Sequence, residues 1–207
     1  MSEALERATQ DITEQDLASM VLVKEDFPDR FREFQRGREG SLDNETMALQ
    51  GFPGSTTEDI WATGRITGYL REFVTPLQPE LLEDRSELIT ATVVHLFRDR
   101  DAVSKWMGEK FLGEFQRSVG KKIGLGQQLI AADRLDYEGF YDEAVGLRTL
   151  QTSRAGLVTS YIIDFRVGRL LGVAYLVTLG DGDQHQAVGE LGLELERRMV
   201  RVVLDAT

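Results

Sequence analysis

Residues 157–180, "LVTSYIIDFRVGRLLGVAYLVTLG", are two runs of β-branched, aromatic and aliphatic residues that meet at Val167-Gly168-Arg169. Side chains of this kind suit a pleated, largely buried surface, and a glycine between two such runs supplies the positive φ of a tight turn. The stretch reads as a β-hairpin. A hairpin makes its two strands antiparallel, so this turn sets the character of the sheet to which they belong.

Working outward, "LITATVVHLFRD" (88–99) is a strand by the same reasoning, and "YDEAVGLRTL" (141–150) is another, with Gly146 as a bulge or close-packing site. Asp99 or Asp101 then caps a helix reaching about Ser118, in which Val103, Trp106, Met107, Phe111 and Phe115 form an apolar stripe. Gly120 with Lys121 and Lys122 closes it. A final helix opens at Asp183, with Gln186 three residues on, and carries Val188, Leu191, Leu195, Met199 and Val202 along one face. Towards the N-terminus, Val21 to Val23 reads as a short strand, with Phe27, Phe31 and Phe34 docking the next turn. Residues 35–60 read as a long connection with one short helix near Asn44 to Gln50, and residues 75–87 as a Pro-flanked loop. The Gly-x-Gly of "GLGQQL" (124–129) is a turn.

Strands joined by hairpins, with helices set apart, predict an α+β fold: a mainly antiparallel, twisted sheet with helices packed on one face. Residues 1–16 read as a charged, weakly anchored N-terminal arm, and residues 17–207 as one α+β domain.

The stretch "WATGRITGYLREFV" (61–74) raises a separate question, because Gly64 and Gly68 lie four apart among aromatics and arginines. No helix start follows Gly68, so a phosphate-cradling loop does not fit, and the stretch reads as a strand. Alternation then places both glycines on the smaller, more apolar face, where they admit a helix, and Trp61, Arg65, Tyr69, Arg71 and Phe73 on the other. Aromatic platforms beside guanidinium groups make that second face the candidate ligand or partner surface. The plainer alternative is that cross-strand aromatics and arginines simply cover one another.

The chain has 207 residues, 42% of them hydrophobic, and a net charge of -11. That charge argues against nucleic acid, whose phosphates require a basic surface, and against a grip on anionic membranes. There is no cysteine, hence no disulfide and no thiolate chemistry. No run approaches the ~20 apolar residues that span a bilayer, so the chain shows no direct membrane insertion. The opening residues are polar and acidic, unlike a signal peptide: a cytoplasmic protein if Met1 is the native start, an exported one if a signal was removed. His95 lies mid-strand, where a hydrogen-bonded sheet residue is the plain reading, and His185 lies in the first turn of the last helix. "DGD" (181–183) lacks the later ligands of a calcium loop. No metal, cofactor or catalytic motif is read from the sequence.

The order of "LVKEDFPDRF", "GRITGYLREF", "TATVVHLFRDRDAVSKWM" and "IIDFRVGRLLGVAYLV", followed by an amphipathic helix, resembles the bacterial LpqN-like lipoproteins and the extracellular sensor domains of PknH-type kinases, some with folds called PsbP-like. The resemblance runs from Leu17 to Leu204 through element order. It implies a non-enzymatic domain, tethered outside the membrane, that binds a small molecule or a protein partner. The lipidated cysteine and the paired cysteines of such domains are absent here, and no site residue carries over. Beside this reading stand a small hydrolase-type enzyme with carboxylates and His95 in a cleft, and a self-associating structural domain that hides one sheet face in a homodimer.

Overall fold

The computed structural model describes residues 3–76, 87–123, 127–153 and 156–206. Eight strands form one sheet: β1 (Gln35–Leu42), β2 (Arg65–Val74), β3 (Glu87–Phe97), β4 (Lys122–Ile123), β5 (Gln127–Leu135), β6 (Ala144–Ser153), β7 (Gly156–Val167) and β8 (Leu170–Leu179). Their order is β1-β2-β3-β8-β7-β6-β5-β4, and each pairing is antiparallel. Two meanders, β1–β3 and β4–β8, thus meet along the β3–β8 seam. The β7–β8 hairpin turns at Gly168, whose φ is 58°. The Gly-x-Gly turn and most of the Pro-flanked loop expected from the sequence fall outside the described residues.

The α+β class and the antiparallel sheet are as the sequence reads. The helices, expected on one face, divide between both. On one face, α6 (His185–Asp205) lays Val188, Leu191, Leu195 and Met199 over Ile163, Phe165 and Ala174. Gly172 lets it come close, since a Cβ there would strike the Phe165 ring and lie 2.8 Å from the Met199 sulfur. α1 (Glu3–Ala8) and α2 (Leu17–Met20) share this face. On the other face lies α5, which starts as Arg100–Lys105, passes through a π-helical stretch Trp106–Gly113 and ends as Glu114–Arg117. Asp99 caps it by accepting the Ala102 N–H. Val103, Trp106, Met107 and Phe111 pack there against Phe97, Leu147 and Leu171. The division has a topological cause: α5 must carry the chain from β3, at the centre, to β4, at the far edge.

Several short elements differ from expectation. Val21 to Val23 is not a strand; it crosses the face of β2 and β3, with the Leu22 N–H bonded to Thr92 and the Val21 and Leu22 carbonyls bonded to Arg71. Two side chains take the place of a neighbouring strand. The connection at 35–60 holds the expected helix, α3 (Asn44–Gln50), and also β1 and α4 (Thr57–Ala62). The N-terminal arm, expected to be weakly anchored, is docked: Leu5, Ala8 and Ile12 are buried in the main core.

Candidate functional site

Trp61 is not on the strand. Thr56 and Asp59 form a capping box that starts α4, and Trp61 rides on that helix, 72% exposed. Gly64, at φ 85°, makes the turn into β2. A side chain at 64 would collide with the Arg98 guanidinium and the Ala102 methyl, at 2.8 and 3.0 Å, so the glycine lets Arg98 lie across the helix–strand turn.

The pairing of β2 with β3 slips between Arg65 and Thr67, a bulge that reverses the phase of Arg65 relative to the rest of the strand. Arg65 therefore leaves the face expected for it and turns to that of Gly68 and His95. It is 1% exposed. Its Nε donates to His95 Nδ1 (3.1 Å), its Nη1 to Asn44 Oδ1 (2.6 Å) and its Nη2 to the Leu42 carbonyl (2.8 Å). Asn44 completes the clamp by donating to the Arg65 carbonyl. These acceptors are all neutral. Burial consequently lowers the Arg65 pKa to about 9, with exposed Asp43 pulling weakly the other way. His95, buried and beside this cation, is held well below the ordinary histidine range. It is a neutral imidazole accepting at Nδ1, which places its proton on Nε2. The enzyme reading required His95 among carboxylates; the structure bonds it to an arginine.

Tyr69, Arg71 and Phe73 keep the expected phase but face the core side of the sheet. Phe73 meets Phe27 edge to face at 4.7 Å. Arg71 donates to Glu39 at 2.7 Å and to the Ala18, Val21 and Leu22 carbonyls, and Tyr69 donates to Glu39 at 3.0 Å. The five residues read as one surface are thus three separate things: an exposed helical tryptophan, a buried clamped arginine, and a structural trio on the other face, of which Arg71 holds the Val21–Val23 crossing. A helix at Trp61 and a bulge after Arg65 break the strand alternation.

Two of the five meet again at a cleft of about 320 Å³ lined by Trp61, Ala62, Gly64, Arg65, Ile66 and Arg98. Trp61, Ala62 and Ile66 give it apolar walls, and Ile66 is itself 47% exposed at the bulge. The charged residues on this lining are both arginines. Among the described residues Arg98 pairs with Asp99 at 3.2 Å, and that pair lies in solvent, where it contributes little. A second hollow beyond Ala62, of about 210 Å³, is lined by Asp59, Lys105, Glu109 and Lys110 as well as by Trp106, so its charges balance. The first cleft is the one whose lining carries positive charge alone. Arg98, Asn44 and Ile66 come to this site only through the fold and were not among the residues expected there. The Thr56-x-x-Asp59 capping box was the available signal that Trp61 is helical.

The fold has a precedent. The chain resembles the extracellular domain of PknH from Mycobacterium tuberculosis, with a TM-score of 0.60 over 92% of this chain and 97% of that one. Sequence identity is 11%, so the likeness shows the fold alone. No protein-family model and no curated protein matches the sequence. Among the described residues no helix is long and apolar enough to cross a membrane, and no group of three or more His, Asp or Glu residues is arranged to hold a metal ion.

Proposed function

We propose that this protein is a non-catalytic binding domain of the sensor kind, and that it binds an anionic ligand or an acidic partner segment at the Trp61–Arg98 cleft. The observation that carries the proposal is the cleft's one-sided charge: two arginines and an exposed indole, in a chain of net charge -11. A local positive field on an acidic protein draws anions to one place, and Trp and Arg are the residue types that dominate recognition surfaces. The likeness in fold to the extracellular domain of PknH supports the binding-domain part of this reading.

The test is a set of thermal melts with small carboxylates, phosphates, amines and neutral alcohols, run on the wild type and on Arg98→Ala. Anions are expected to raise the Tm of the wild type and not of the variant, because a ligand that binds only the folded state stabilises it by mass action. The rise should shrink with added salt, since exposed charges are screened beyond ~8–10 Å. The probes should be recovered unchanged. Equal responses from both proteins, or rises confined to amines, would remove the cleft as the binding surface.

A further inference from the structure

We infer that the cleft selects a small carboxylate with a flat apolar body, the body lying against Trp61 and the carboxylate meeting Arg98. The inference rests on the cleft being the binding surface and narrows its ligand. Size comes first: about 320 Å³ is at the lower end for small-molecule pockets and suits a small body. The walls come second. Trp61, Ala62 and Ile66 are apolar, so a ligand that is charged throughout, such as a bare phosphate, would leave most of the lining unmatched.

The number of reachable donors comes third. Arg65 lines the cleft but is 1% exposed, with its guanidinium engaged by His95, Asn44 and the Leu42 carbonyl. It acts on a ligand through its field. Arg98, two-thirds exposed, presents the contacting guanidinium. One planar fork with one apolar slot beside it matches one planar carboxylate on a flat body, the arrangement in which arginine recognition is bidentate. The exposed Arg98–Asp99 pair is weak enough to yield to such a ligand.

The experiment follows the two indole N–H signals by NMR, with Trp106, 9% exposed and packed on Phe97, as the internal control. The probes are phenylacetate, acetate, phenethylamine and inorganic phosphate. Phenylacetate is expected to shift the Trp61 signal saturably and leave Trp106 in place. Acetate, which lacks the ring, and phenethylamine, which reverses the charge, should each bind at least tenfold more weakly. Arg98→Ala should cost phenylacetate tenfold or more by the Trp61 signal, and Trp61→Ala should cost as much when binding is followed by the phenylacetate ring protons, both at unchanged Tm because both side chains are exposed. Phenethylamine binding as tightly as phenylacetate, or an Arg98→Ala protein that binds phenylacetate normally, would overturn the inference. Phosphate binding that needs Arg98, with no response to phenylacetate, would overturn the ligand class and leave anion binding at the cleft standing. Silence of Trp61 towards all four probes would sink both.

Discussion

Arg65 is the residue on which this part of the fold turns. A guanidinium buried without a carboxylate is expensive unless its donors are met, and here they are met by an imidazole, an amide and a backbone carbonyl. Gly68 makes the space. A Cβ at 68 would overlap His95 Nδ1 and lie 2.7 Å from Arg65 Nη2, so the glycine admits a polar pair and not the helix that strand alternation suggested. Gly68→Ala is therefore expected to cost about 1–3 kcal/mol, the ordinary cost of overpacking, with Gly68→Val costing more. A thermal melt of Gly68→Ala that matches the wild type would show that the Arg65–His95 contact is dispensable. His95 tests the same network from the other side. His95→Leu removes an acceptor from a buried cation and should lose about 1.5–3 kcal/mol, whereas His95→Gln retains an acceptor and should lose clearly less. Equal losses from both variants would mean that packing, not hydrogen bonding to Arg65, is what His95 supplies.

At the scale of elements, legibility follows burial. β3, β7 and β8 carry near-continuous runs of β-branched, aromatic and aliphatic residues because both faces of the sheet are covered there, and that composition is readable. β1, "QRGREGSL", lies at the sheet's edge and is exposed or half-buried along nearly all its length, so no hydrophobic period exists to be read. Its charged side chains suit an edge that must not pair with another chain. β5 is similarly mixed. The bulge at Arg65 left no trace in sequence, whereas the caps of α4 and α5 did. In α6, Glu196 breaks the apolar face: it is 2% exposed and accepts the Tyr141 N–H at 3.0 Å, tying the β5–β6 loop to the helix. Burial raises its pKa to about 7, and the Tyr141 bond only partly opposes this. An acid whose pKa is raised by folding binds its proton more tightly in the folded state. Glu196 thus favours the fold fully below its ordinary pKa near 4.5, and this contribution is lost as pH rises from there towards 7. Glu196→Gln keeps an acceptor for Tyr141 without the charge. It should raise the Tm at pH 8, change it little at pH 4.5, and flatten the stability profile between. A variant with no gain at pH 8 would place the carboxylate in contact with solvent.

Over the whole molecule, the N-terminal arm decides how much of the chain folds as a unit. Read as a charged appendage, residues 3–12 instead close the end of the β7–β8 hairpin. Thr9 fits against Gly168, where any side chain would collide with it. Arg169, the next residue of the turn, donates to the carbonyls of Thr9, Gln10 and Ile12 at 2.9, 3.0 and 2.7 Å. The hairpin that gave the sheet its antiparallel character also holds the arm. The arm was illegible because its three core contacts, Leu5, Ala8 and Ile12, are too few and too widely interleaved with charge to register as a buried face. Burying Leu5 and Ile12 is each worth about 1.5–3 kcal/mol, against a total stability of about 5–15 kcal/mol for a protein domain. Removal of residues 1–12 is therefore expected to lower the Tm substantially and to expose Val167 and Leu170 to hydrophobic dyes. Arg169→Ala, which leaves the arm's apolar residues in place but unties its carbonyls, should show a smaller loss and faster amide exchange at the β7–β8 turn. If the truncated protein melts with the wild type, the arm is an appendage after all and the domain begins near Leu17.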